Sequence, residues 1–156
     1  MRVEVARGII SLRENLAPSV AQQAAKRAQA ATADELDRLL AQMRETDQIE
    51  ELQELVFSFW DQLVQGSGNI AYKLAFNSLR KTYKKIWGLL TLTLAEEFRD
   101  SNNLALIAAA VRKGKPAQAE AAAKAHIAIG SDAMHKVLDA YQKGQSQDFA
   151  KLDSLD

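Results

Sequence analysis

The sequence predicts an all-α fold, an antiparallel bundle of about six to seven helices. Apolar residues recur at helical spacing along nearly the whole chain, and no segment shows the alternating pattern of a strand. Glycine and proline, which interrupt helices, number only 7 and 2. A length of 156 residues suits one domain with a substantial core.

The first three helices follow from periodicity and from start and stop signals. The first covers positions 3–29, and Pro18 within it is expected to kink or divide it. The segment "TADE" predicts a capping box that opens the second helix at Thr32, which ends near Arg44. Asp47 is the predicted cap of a third helix, and "GSGN" ends that helix.

The middle of the chain is predicted to contain one long helix and one short helix. Asn69 is the expected cap of the long helix, which we expect to bend at Gly88 and to continue through "LLTLTLAEEF". The polar segment "RDSNN" interrupts the pattern. A short helix that contains Leu104 then follows.

The last helix has the clearest start signal in the sequence. Gly114 is expected to end the preceding helix and Pro116 to occupy the first position of the last one. We expect this helix to end near Tyr141. The predicted organisation is therefore one helical domain at 1–142 and a frayed tail at 143–156.

Composition excludes several classes of protein. The 20 basic and 20 acidic residues balance, whereas a nucleic-acid-binding surface usually has a basic excess. The longest apolar run, "WGLLTLTLA", is far shorter than the roughly 20 residues that span a membrane, and no signal peptide is evident. Without cysteine, thiolate sites are excluded. We expect a cytoplasmic protein that makes no membrane contact.

Catalytic motifs are absent, so we expect neither an enzyme nor a cofactor. His126 lies on an apolar helix face and is expected to point inward, where a lone histidine is more often a hydrogen-bonded core residue than a ligand. Val56 and Trp60 share the inward face of the third helix. The basic row on the fourth helix, with Arg80 and Lys84, is either a solvated face or a surface that attracts anions.

Three segments in register resemble the ligand-binding domain (FCD domain) of FadR-type regulators in the GntR superfamily. "SLRENLAPSVAQQAAKRA" resembles its first helix, "FWDQLVQGSGN" its F-H-x-x-L-x-x-x-x-G-N pattern, and "AAAVRKGKPAQAEAAAKAH" its closing pattern. The resemblance covers nearly the whole chain. It implies an all-helical domain that binds an effector and forms a homodimer. It also implies that DNA is contacted only through a winged helix-turn-helix domain, which is expected to be absent from this chain.

Many members of that family hold a divalent metal through one aspartate and three histidines. The corresponding positions here are Val56, Trp60, Leu104 and His126. A single imidazole cannot hold zinc, which needs three or four N, O or S ligands. The resemblance therefore implies a site without metal.

The segment "GNIAYKLAFNSLRKTYKKI" is similar to one in the fatty-acid-responsive regulator of this family, which implies an acyl-type effector such as a fatty acid or an acyl-CoA. An acyl tail would lie among the apolar positions, while Arg13 and His126 would orient a polar head. The expected ligand-binding residues are Arg13, Val56, Trp60, Arg80, Tyr83, Lys84, Leu104 and His126. Two alternatives remain: a structural dimerisation bundle without a ligand, in which Trp60 fills the core, and a metal-dependent enzyme with further donors near His126.

Overall fold

The computed structural model describes residues 2–154, and within this range it describes all side chains except those at 146–149 and 152. These residues form eight α-helices and no strand. The all-α prediction is confirmed. The helices are α1 (Val3–Arg27), α2 (Ala30–Arg44), α3 (Ile49–Ser67), α4 (Ile70–Lys85), α5 (Trp87–Thr93), α6 (Ala95–Phe98), α7 (Ser101–Lys113) and α8 (Pro116–Asp153).

The contact between α1 and α8 is the most extensive in the bundle, and the two helices run antiparallel. Arg7 at the start of α1 contacts Asp139, whereas Arg13, further along α1, contacts the backbone of Ile127. The helices α3 and α7 pack beside this pair, and α2 covers α3 and α7. Burial of the facing apolar stripes stabilises this arrangement, because it removes apolar surface from water.

Two predicted caps are wrong, and a third is confirmed. Helix α2 begins at Ala30, so Thr32 lies inside the helix, where it is buried against Gly66 of α3. Helix α3 begins after Gln48, and Asp47 does not cap it. Tertiary packing of Thr32 thus overrides the local capping signal. Asn69 does cap α4, since its side chain accepts hydrogen bonds from two backbone amides of the first turn.

The predicted long fourth helix is interrupted at Ile86, two residues before Gly88, and again at Leu94. These breaks allow the chain to turn inward and place the Trp87 ring 4.7 Å from that of Phe57. The Gln53 side chain donates to the Trp87 carbonyl at 3.2 Å and fixes the turn. The separate helices α5 and α6 result from this packing, which the local sequence does not indicate.

Pro18 does not divide α1, which is continuous from Val3 to Arg27. Gly114 ends α7 in the left-handed conformation at φ 64°, and Pro116 begins α8, as predicted. Helix α8 does not end near Tyr141 but continues to Asp153. The predicted helix end was wrong because Gly144 alone does not stop a helix of strong helix formers. The domain boundary near residue 142 stays a prediction. None of the described helices is both long and apolar enough to cross a membrane.

Candidate functional site

A cavity of about 60 Å³ lies between α1, α3, α4 and the α5–α6 segment, with α8 behind it. Its wall is mostly apolar and includes side chains such as Val56, Leu79 and Phe98. A few polar side chains interrupt this wall. They are Arg13, Trp60, Arg80, Tyr83 and Glu97.

Arg13 and Glu97 form a buried ion pair in this wall. Arg13 Nη1 donates to Glu97 Oε2 at 3.0 Å, and Nη2 donates to Oε1, so the pair is bidentate. Nη2 also donates to the Ile127 carbonyl at 3.1 Å. The side chains are only 7% and 3% exposed. Because both charges have left water, each depends on the other to offset its desolvation.

Gly130 of α8 makes room for this ion pair. A Cβ built at this position would lie 2.7 Å from Arg13 Nη2 and would also meet the Glu97 carboxylate. A glycine inside a helix costs about 0.5–1 kcal/mol relative to alanine. Here it allows the guanidinium and the carboxylate to lie directly against the helix backbone.

Three buried polar atoms of residues that line the cavity have no hydrogen-bond partner: Arg13 Nε, Trp60 Nε1 and the Tyr83 hydroxyl. The first two are donors only. Burial raises the pKa of Tyr83, although the Arg13 guanidinium opposes the shift, so the phenol stays neutral and can also donate. An unsatisfied buried donor costs about 1–3 kcal/mol. The wall is therefore suited to a group that accepts hydrogen bonds.

Behind Trp60 lies the fully buried His126 of α8. Its Nδ1 lies 3.1 Å from Asp100 Oδ2, and the two rings of His126 and Trp60 are 6.1 Å apart. Because a carboxylate only accepts, Nδ1 carries the proton and Nε2, which has no partner, is left as an acceptor. Burial lowers the pKa of His126, against the opposing effect of Asp100. The hydrogen bond to His126 in turn lowers the pKa of Asp100.

The depressed pKa of His126 predicts that the fold loses stability as the pH falls below about 6.5. In the unfolded chain the imidazole takes up a proton near its ordinary pKa of 6.5, whereas the buried imidazole does so only at lower pH. The unfolded state therefore binds more protons, and stability falls by up to about 1.4 kcal/mol per pH unit. Urea unfolding between pH 7.5 and 5.5 measures this slope.

A His126→Gln variant is the control for that experiment, because it removes the buried imidazole and keeps the half-exposed His135. Its stability should depend much less on pH over the same range. An unchanged slope in this variant would show that other groups cause the loss.

The structure brings five of the eight predicted ligand-binding residues to the cavity: Arg13, Val56, Trp60, Arg80 and Tyr83. It does not bring the other three there. Leu104 and His126 are fully buried in the adjoining core, and Lys84 is exposed to solvent one turn beyond Arg80. The inward orientation predicted for Val56, Trp60, Leu104 and His126 is confirmed. A role of any of the eight in ligand binding stays a prediction.

Glu97 and Asp100 were not predicted as site residues. Glu97 follows Leu94 by three residues and precedes Phe98, which places it on the apolar side of the segment. That spacing could have indicated that Glu97 faces inward. Asp100 caps α7 by accepting from the Asn103 amide, and its approach to His126 depends on the packing of α7 on α8.

Metal ligands do not cluster in the part of the chain that the structure describes, where no three His, Cys, Asp or Glu residues come together. His126 and Asp100 form only a pair. Val56, Trp60 and Leu104 belong to the apolar core instead. The donor set around His126 does not fit a metal ion.

The bundle thus surrounds a small, largely apolar cavity with a few polar side chains in its wall. Residues 8–129 match the model of the FCD domain family, and the chain belongs to that family. This match confirms the resemblance to the effector-binding domain of FadR-type regulators of the GntR superfamily.

The chain is also similar to two curated bacterial proteins. One is the HTH-type transcriptional regulator Mce2R of Mycobacterium tuberculosis, and the other is an uncharacterised HTH-type transcriptional regulator of Mycobacterium bovis. Each is 30% identical over 137 residues, which cover 87% of this chain and 57% of the relative. The chain thus spans somewhat more than half the length of these relatives.

Proposed function

We propose that this chain is the effector-binding and dimerisation domain of a transcription regulator, and that its effector is an organic acid held without metal. The observation that carries the proposal is the set of unpartnered donors of Arg13, Trp60 and Tyr83 around one apolar cavity. A carboxylate is an acceptor only, and such donors can satisfy its oxygens.

Charge supports an anionic ligand. The wall contains two guanidinium groups, those of Arg13 and Arg80, and a single carboxylate, that of Glu97. One carboxylate from the ligand would balance them. Arg80 is exposed, so it stands at the mouth of the cavity, where it can attract an anion.

Volume limits the part of the ligand that fits. A cavity of about 60 Å³ holds only a few atoms, since a single water needs about 10–15 Å³ by this measure. It therefore suits a short-chain acid, or the carboxylate end of an acyl-type effector such as a fatty acid. A longer acyl chain or an acyl-CoA requires that neighbouring side chains move, and Trp60 is the largest of them.

The rest of the proposal follows from the family. The domain would act as a homodimer in the cytoplasm and would reach an operator only through a separate DNA-binding domain. Ligand binding would then favour one arrangement of the dimer over another. The alternative is a structural dimerisation bundle without a small ligand, which the small volume of the cavity favours.

Binding of straight-chain carboxylates from acetate to octanoate, measured by calorimetry and native mass spectrometry, tests the proposal. We expect one acid per chain and no binding of butanol, the uncharged counterpart of butyrate. Arg80→Gln should weaken binding about fivefold, which corresponds to about 1 kcal/mol. Lys84→Gln is the matched control, since Lys84 is also exposed but does not line the cavity.

Absence of binding by every acid would favour the structural alternative. Equal losses of acid affinity in Arg80→Gln and Lys84→Gln would show that the acids bind the basic face of α4 without using the cavity. Zinc bound at one per chain would contradict the metal-free site.

A further inference from the structure

A second and larger cavity lies on the other side of Tyr83. It has a volume of about 390 Å³, within the range of about 300–1,000 Å³ that small-molecule sites occupy. It is open to solvent and lies between the start of α1, the α4–α5 junction and the middle of α8, and its lining residues Leu89, Val137 and Tyr141 are exposed. Among its lining residues are Ala6, Ile10, Ile86, Leu90, Met134 and Leu138.

The lining of this cavity contains no charged side chain among the residues that the structure describes. Thr82 and Thr93 donate their hydroxyl groups to carbonyls in the preceding turn of the same chain segment. The Tyr141 hydroxyl accepts from Gln145 at 2.9 Å. The Tyr83 hydroxyl is fully buried and close to the Arg13 guanidinium, which belongs to the first cavity. An ionised ligand would lose its hydration there and gain no compensating charge.

Tyr83 separates the two cavities, because its side chain lines both of them. The residue is 7% exposed, and its ring packs edge-on against Phe57 at a centroid distance of 5.7 Å. Each cavity therefore has this ring as part of its wall.

We propose that the second cavity is a binding site for an uncharged, apolar small molecule. The ligand class follows from the volume and the uncharged lining. This site is separate from the cavity of Arg13 and Arg80. The proposal does not depend on the organic acid assigned to that cavity.

Fluorescence titration with the neutral probe N-phenylnaphthylamine, followed by competition with decanol, tests this site. The wild-type protein should bind the probe saturably, at one molecule per chain, and decanol should displace it. Ala6→Phe places a ring in the cavity and should weaken probe binding about tenfold or more. Ala41→Phe is the matched control, because Ala41 is an exposed helical alanine that does not line the cavity, and it should bind like the wild type.

A second variant, Leu138→Gln, keeps the test valid if Ala6→Phe does not fold. It adds a polar group to the lining at a half-buried position and should also weaken binding of the probe. Circular dichroism verifies that each variant is folded. Undiminished binding to folded variants would overturn the proposal. A second result would also overturn it: sedimentation shows a wild-type dimer that Ala6→Phe loses, and the wild type does not bind the probe. The cavity would then be an interface between copies of the chain.

The two proposals can fail independently. Arg80→Gln should leave probe affinity unchanged, since Arg80 does not line the second cavity. Binding of the probe without binding of any short-chain acid would support this site and contradict the organic acid. Binding of short-chain acids without binding of the probe would support the organic acid and contradict this site.

Discussion

Replacement of Glu97 with Ala will lower the free energy of unfolding by about 3–5 kcal/mol. The substitution leaves the Arg13 guanidinium buried, with the Ile127 carbonyl as its remaining hydrogen-bond acceptor. Burial already lowers the pKa of Arg13, and loss of the carboxylate removes the group that offsets the desolvation. Urea denaturation followed by circular dichroism measures the change.

Two comparisons identify the cause of this loss. The double variant Arg13→Met, Glu97→Leu should recover much of the stability, because it replaces the ion pair with apolar groups and leaves no unpaired charge. Arg112→Ala removes the exposed partner of Asp34 and Asp37 and should cost far less. A double variant as unstable as Glu97→Ala would show that the space occupied by these side chains matters more than their charge.

Replacement of Trp60 with Ala will lower the free energy of unfolding by about 3–5 kcal/mol. Trp60 is 8% exposed and packs between the cavity and the His126 ring, so the truncation joins the cavity to the space the indole leaves. The same urea denaturation measures the loss. Trp87→Ala, at a half-buried position on α5, should cost less.

Trp60→Phe separates core packing from ligand binding. It retains most of the apolar volume and removes Nε1, the donor that lacks a partner. We expect butyrate affinity to fall about two- to tenfold, the equivalent of one neutral hydrogen bond. Unchanged affinity in Trp60→Phe would make Trp60 a core residue without a role in binding, and the ligand site would then have to lie elsewhere.

The predicted ligand site and the observed cavity agree in part. Val56 and Trp60 were expected to face inward, and they do. Lys84 was chosen for its charge and is exposed, since charge alone does not identify the face of a helix on which a residue lies. Leu104 is buried as expected but lies behind the cavity wall, because its depth depends on how α7 packs on α8.

The sequence alone determined the helical class, the caps at Asn69 and Gly114, and the inward position of His126, because these features depend on the chemistry and spacing of residues within one helix. Only the tertiary structure decided the contacts between distant segments. These include the pairing of Arg13 with Glu97, the room that Gly130 provides, and the place of Tyr83 between two cavities. Such contacts arise from the packing of whole helices, to which no local pattern in the sequence corresponds.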